Sequence, residues 1–586
     1  MIARFATSLL LALGLGALAL PAQPRQAGHH QDQERELLRT LGRWIDDYRH
    51  GKLDLRSKDP IPSPGRLLRA GVPRGAVGNH LVRTGELGLL LEAAVEADSE
   101  PAIRALLRLA GVGLDRFRYR ARHVAPLVRT MAERALAKVR SGAARAMVLD
   151  CALGMTPVGG DDERLATRAA ALRALGQLRP LGSSKALRQA LEAAEASLRL
   201  AAATALGQRC DADATTPLAA ALQCETDEAS RIGLIRALHE VLEAHEGTLP
   251  TRAIRRSVQT VVASLGRGTW RGDLAAVELL SRFRCREAVP ALIGVLERNA
   301  PSDKRRRRDV APSGLLRTRA REVLVELTGA HHAAERPDAW RAWWEHRATP
   351  GFRLAHEPPP PDSQARAGRT TAPGGFFGVQ PIGTRVVFVI DVSRSMRDPY
   401  RSTQTASIQH GAPPGKLDIA KRELRKAIDG LPADAWFNIV LFSTDAKAWR
   451  RDLVRADPMH KKAAHLFIKK LATSAATNLW GGLETALGIE SWRYGDRYSS
   501  HVEEVFVLSD GAPTVGDLVD PRHILTAIGE TNRFAGVRIH AVYLGARIEP
   551  ATMPLGMQSP WPGGLSPKEM MRKLAQENGG EFVCPR

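Results

Sequence analysis

The stretch that decides the fold is residues 385–396, RVVFVIDVSRSM. Val386 to Ile390 form an unbroken apolar run, which ends on Asp391 with Ser393 and Ser395 just behind it. A short apolar run bounded by turn residues reads as a strand buried on both faces. Further runs of this kind follow at 437–443 (FNIVLFS), 504–510 (EVFVLSD), 538–545 (RIHAVYLG) and 581–585 (EFVCP). Helical patterns alternate with them at 416–431, 459–471, 479–490, 521–536 and 566–579. This alternation predicts an α/β doubly wound, mostly parallel sheet over residues 382–586, covered by helices on both faces. In such a sheet ligands bind in the crevice beyond the carboxyl ends of the strands.

Two of the expected strands end in an aspartate at that edge, Asp391 and Asp510. Between them ATSAATNLWGG (472–482) places Thr477 on a loop just before a helix. Asp391, Ser393, Ser395, Thr477 and Asp510 are therefore expected to converge. The set offers carboxylate and hydroxyl oxygens only, which suits a hard divalent cation, Mg²⁺ above all, with Mn²⁺ or Ca²⁺ as alternatives. Because hydroxyls add no charge, an ion held this way stays electrophilic and accepts an acidic oxygen from a partner.

On these residues the domain resembles a von Willebrand factor type A domain with a metal-ion-dependent adhesion site. The D-x-S-x-S motif is DVSRS (391–395), the threonine stands in ATNLWGGL (476–483), and the second aspartate stands in VLSDGAPT (507–514). The resemblance implies that Ser393, Ser395 and Thr477 coordinate the metal directly or through water. It implies that Asp391 and Asp510 bind it or hold its waters. Two inserts, 397–415 and around 547–567, depart from the pattern and are expected to border the site. A phosphatase of the haloacid dehalogenase type also begins with a strand-end aspartate, but it would want a second carboxylate where this chain has Ser393.

Upstream the pattern is helical throughout. ALRALGQL (171–178) returns as AATALGQR (202–209), with Ala174 and Ala205 thirty-one residues apart. Ala237 follows thirty-two residues later. A period of about thirty residues with two short helices per unit marks an α-solenoid, because one helix pair cannot bury its apolar face alone. The pattern resembles HEAT-like repeats, and the solenoid is assigned to residues 75–350 after a polar and helical segment at 23–74. Trp340 and Trp344 share a helical face and are expected to cap the solenoid core. Residues 351–381, rich in Pro and Gly, read as a linker. The run Lys304, Arg305, Arg306, Arg307 and Arg308 sits in a polar insert and is a candidate grip for an acidic polymer.

Residues 1–22 have the build of a secretory signal peptide: Arg4, an apolar run from Leu9 to Leu20, then small residues. The mature chain is expected to lack a membrane span and to act in the periplasm or outside the cell. Of 586 residues, 44% are hydrophobic and only 5% aromatic, and the net charge is +21. The last 205 residues carry about +5 of that, so the basic excess lies in the helical part. Acidic partners follow from the charge; nucleic acid is not expected of an exported chain. The five cysteines lack C-x-x-C spacing, which excludes the common zinc frameworks. No G-x-S-x-G, H-E-x-x-H or P-loop motif occurs. The expectation is a non-enzymatic adhesion protein that captures a carboxylate on a protein ligand through its metal, with the repeats as a second surface. The alternatives are a polyanion-binding scaffold and a non-catalytic subunit of an enzyme assembly.

Overall fold

The computed structural model describes residues 26–49, 79–111, 125–300, 313–349, 351–355, 375–400, 414–488, 501–516, 518–545 and 565–585. The leader at 1–22, the basic run Lys304–Arg308 and linker residues 356–374 lie outside the described residues.

Up to Arg347 the described chain is built of helices. They are α1 (Gln26–Arg49), α2 (Asn79–Ala97), α3 (Glu100–Gly111), α4 (Ala125–Leu136), α5 (Gly142–Leu153), α6 (Asp161–Leu178), α7 (Ser183–Ala190) and α8 (Ala196–Arg209). There follow α9 (Thr215–Cys224), α10 (Glu228–Ala244), α11 (Thr251–Ser264), α12 (Trp270–Arg282), α13 (Ala288–Arg298), α14 (Gly314–Thr328) and α15 (Pro337–Arg347). Their starts are written locally. The side chains of Ser141, Asp227 and Ser313 accept from the backbone N–H groups of Ala144, Ser230 and Leu316. Such caps contribute about 1 kcal/mol each.

The repeat has a structural cause. Ala174, Ala205 and Ala237 are buried on α6, α8 and α10, and the leucine after each is fully buried. A Cβ on Gly176 would stand 3.1 Å from the Cα of Ala205, and one on Gly207 would stand 3.0 Å from the Cα of Ala237. Glycine at the same place in successive units lets neighbouring backbones close on each other, as the stacking of repeated helical units requires. Trp340 is fully buried at the end of this array, and Trp344 packs against the core.

The C-terminal domain is one sheet of seven strands: β1 (Arg385–Asp391), β2 (Trp436–Phe442), β3 (Ala446–Ala448), β4 (Val454–Arg455), β5 (Glu504–Ser509), β6 (Arg538–Tyr543) and β7 (Gly579–Val583). The order is β3-β2-β1-β5-β6-β7, with β4 also paired to β2. Strands β2, β1, β5, β6 and β7 are parallel neighbours, and β3 and β4 run antiparallel to β2. These two short strands, AKA and VR, carry no apolar run, so periodicity does not reveal them.

The helices of this domain are α16 (Lys416–Asp429), α17 (Pro458–Lys469), α18 (Leu479–Leu487), α19 (Pro521–Ala535) and α20 (Pro567–Glu577). All seven residues of β1 are buried, as expected for a strand covered on both faces. Val386, Phe388 and Ile390 share a core with Leu417, Leu424 and Ile428 of α16 and Ala464 and Ile468 of α17. Val387 and Val389 belong to the opposite core, with Leu479 and Leu483 of α18 and Ile524 and Ile528 of α19.

Residues 375–381, which composition assigns to the linker, are packed. Phe376 is fully buried, its ring 5.5 Å from that of Phe388 and 6.1 Å from that of Phe506. A lone Phe-Phe pair in a Gly-rich stretch gives no periodic signal, yet burying one such ring contributes about 1.5–3 kcal/mol.

The two parts of the chain touch. The N–H of Gly314 donates to Thr384 Oγ1 (3.2 Å) and that of Leu315 to Glu503 Oε2 (3.3 Å), so the first turn of α14 sits on the amino ends of β1 and β5. A Cβ on Gly314 would lie 2.7 Å from the Thr384 nitrogen, so this approach needs glycine. On the flank, Phe534 of α19 packs with Leu200, Ala229 and Ile232, and Arg271 Nε donates to the Ala535 carbonyl (2.8 Å).

Candidate metal centre

The strand order locates the site. The chain leaves β1 towards β2 on one side, while β5 flanks β1 on the other, so the connections part at the carboxyl ends of β1 and β5. That parting opens a crevice. In the register Ile390 is paired with Leu508, which puts Asp391 beside Ser509 and Asp510 just beyond.

Asp391 is fully buried. Its Oδ1 accepts from the Ser393 backbone N–H at 2.7 Å and its Oδ2 from the Ser509 hydroxyl at 2.6 Å. Residues Arg394–Arg397 then form a short 3-10 turn, held by the fully buried Met396, whose N–H donates to the Ser393 carbonyl at 3.1 Å. The methionine of RVVFVIDVSRSM thus anchors the turn that presents the two serines. Ser395 Oγ donates to Asp510 Oδ1 at 2.7 Å, and the Ser393 and Ser395 hydroxyls lie 3.1 Å apart. Since Ser395 spends its single proton on Asp510, Ser393 is the donor in that pair. A continuous hydrogen-bonded row therefore links Asp391, Ser393, Ser395 and Asp510.

Thr477 reaches the same edge by its backbone. Its N–H donates to Thr514 Oγ1 (2.9 Å) and its carbonyl accepts from the Thr514 N–H (2.8 Å), which ties it to the loop after Asp510. The next residue, Asn478, donates its N–H to the Ser443 carbonyl at the end of β2 (2.7 Å) and caps α18 through Gly481 N–H (2.9 Å). The Thr477 side chain is buried.

Three contributors escape a reading of the sequence. Ser509 lies inside the quoted VLSD stretch but looks like ordinary strand. Thr514 looks like loop. Lys416 opens the helix KLDIAKRELRKAID, and its Nζ donates to Asp510 Oδ2 at 2.6 Å. Its partner is 94 residues away, so only the fold pairs them.

Burial pushes the Asp391 carboxyl up to about 6, against its hydrogen bonds from Ser509 and Ser393, and the charge of Asp510 pushes the same way. Two carboxylates therefore stand at this edge, Asp510 with the Lys416 ammonium already against it. The donors are all oxygen and three of the five carry no charge, which fits a hard divalent ion. Among the described residues no group of three or more His, Cys, Asp or Glu side chains offers a different kind of metal site.

Residues 384–557 match the family model described as von Willebrand factor type A domain, and residues 160–239 match HEAT repeats. Inter-alpha-trypsin inhibitor heavy chain H1 of Bos taurus is 31% identical over 155 residues, covering 26% of this chain and 15% of its own length. The Homo sapiens protein of the same name is 32% identical over 146 residues, 24% of this chain and 14% of its own length. This chain thus spans under a fifth of the curated relatives it matches. Among solved structures, proximal thread matrix protein 1 from the mussel byssus, with a zinc-occupied metal-ion-dependent adhesion site, is 18% identical, covering 34% of this chain and 41% of that one, at a TM-score of 0.22. An aerotolerance-related membrane protein from Bacteroides fragilis is 17% identical, covering 35% of this chain and 92% of that one, at a TM-score of 0.24.

Proposed function

We propose that this chain, whose residues 384–557 match a von Willebrand factor type A domain and whose residues 160–239 match HEAT repeats, is an exported binding protein without enzymatic activity. Its sheet domain holds a divalent cation, Mg²⁺ foremost, through Asp391, Ser393, Ser395, Thr477 and Asp510, and captures an acidic group on a protein ligand. The helical repeats supply a second interaction surface.

The observation that carries this reading is the hydrogen-bonded row from Asp391 through Ser393 and Ser395 to Asp510, at the carboxyl edge of adjacent parallel strands. A bound dication supplies an electrophilic point for a carboxylate oxygen. The chain's own groups do the positioning. Ser509 and the Ser393 N–H fix both oxygens of Asp391. The serine hydroxyls add donors without adding negative charge, so the centre keeps its attraction for an outside acid. The clamp of α14 on the amino ends of β1 and β5 leaves this carboxyl edge at the far end of the strands, about 20 Å away at some 3.3 Å per residue.

Export is supported by Arg4 and the apolar run Leu9–Leu20. Among the described residues no helix is long and apolar enough to cross a membrane. The competing polyanion reading draws on the net charge of +21. Capture from native extract in Mg²⁺ against EDTA separates the two. Chelator-sensitive capture supports the metal reading; capture that survives EDTA but is lost in salt supports the polyanion reading.

A further inference from the structure

The Asp510 carboxylate is already engaged on both oxygens. Oδ1 accepts from Ser395 and Oδ2 accepts from the Lys416 ammonium at 2.6 Å. The ion pair is well enclosed: the Lys416 side chain is 13% exposed and that of Asp510 only 1%. The lysine is also rooted on the metal-binding turn itself. Its backbone N–H donates to the Asp398 carbonyl at 3.0 Å, and the Tyr400 N–H donates to Pro414 at 3.0 Å. These bonds fasten the start of α16 to the segment that follows Ser395.

An ammonium this near a carboxylate neutralises the charge that would attract a dication, and it repels the dication directly. In a poorly solvated crevice both effects are large. We propose that Lys416 is an internal counter-cation which competes with the divalent ion for Asp510 and thereby sets the site's ion affinity. This inference rests on the metal reading above. Ion binding then requires the Lys416 ammonium to leave Asp510 for solvent, a short swing for a flexible four-carbon stem that already has partial access to water. The chain would take up its ion only where that ion is plentiful, and capture of an acidic partner would follow ion concentration.

The test is calorimetric titration of the full chain with MgCl₂ and MnCl₂ at constant ionic strength, comparing wild type, Lys416→Met and Lys416→Arg. Lys416→Met is expected to bind at least about tenfold more tightly, and Lys416→Arg, which keeps the cation, to stay close to wild type. Equal or weaker binding by a folded Lys416→Met chain overturns the competition and leaves the metal reading standing. No binding by any of the three chains overturns both. Should Lys416→Met not fold, amine acylation of wild type read by mass spectrometry decides the matter. Acylation of Lys416 is expected to rise in Mg²⁺ relative to EDTA, and an unchanged yield overturns the inference.

Discussion

Ser395 donates its hydroxyl proton to Asp510, 2.7 Å away and 115 residues later in the chain. This one bond joins the turn after β1 to the loop after β5. It turns two separate strand ends into a single oxygen-lined centre.

Replacing either acid removes a carboxylate from the candidate site. Asp391→Ala and Asp510→Ala are expected to abolish Mg²⁺ binding in titration calorimetry. Asp391→Ala also strands the Ser509 hydroxyl and the Ser393 N–H, so a loss of about 1–3 kcal/mol is expected in denaturant unfolding, with the circular dichroism spectrum retained. Unchanged metal affinity in both variants would refute the assignment.

The clamp between the helical array and the sheet should govern cooperativity. Glu503 is fully buried, accepts from Leu315 and Thr384 N–H groups, and pairs with the buried Arg385. Glu503→Ala is expected to cost about 3–5 kcal/mol, as for removal of one member of a buried ion pair. Scanning calorimetry should also show the helical and sheet parts melting separately. A single unshifted transition would show that the two parts are coupled by something other than Glu503.

Acid should loosen the flank of the same contact. Burial holds the His523 imidazole on α19 below its ordinary value of 6.5; Asp520 opposes the effect, while Arg522 and Arg134 reinforce it. A group kept neutral by folding contributes its stability in full above 6.5, and that stability is lost as the pH falls through the lower folded-state value. Between about pH 7 and pH 5 His523 is expected to pull the melting temperature down, against Asp391, whose raised carboxyl pulls it up over the same range. His523→Gln should therefore raise the melting temperature at pH 5 relative to pH 7 compared with wild type. Identical slopes for both chains would exclude His523 as a source.

The basic run is expected to act apart from the metal. Neutralising Lys304, Arg305, Arg306, Arg307 and Arg308 to Gln should leave Mg²⁺ affinity unchanged and reduce retention on a sulfated polysaccharide column. Loss of Mg²⁺-dependent capture in this variant would mean that the two surfaces work as one.

The architecture was legible because its signals are local. A short run of β-branched and aromatic residues such as VVFVI, bounded by turn residues, reads as a strand covered on both faces. A recurring Ala-Leu-Gly at a fixed period fits only helices packed backbone to backbone, as Gly176 and Gly207 are. Of the five oxygen-bearing residues expected at the site, Asp391, Ser393, Ser395 and Asp510 are joined by hydrogen bonds and Thr477 is tied by its backbone to the loop after Asp510, since a parallel sheet brings its strand ends to a common edge whatever the connecting chain does. The antiparallel strands β3 and β4 and the buried Phe376 were not legible: two- or three-residue strands and a single ring leave no period to read.

By itself, then, the order of residues determined the long parallel strands, the helices and the sheet edge that carries the two aspartates, because burial and hydrogen bonding constrain each short segment on its own. Only the tertiary structure decided which charges meet there and what seals the opposite end. Lys416 on Asp510 and Leu315 on Glu503 join residues 94 and 188 positions apart, and no local preference encodes contacts made only after the elements have packed.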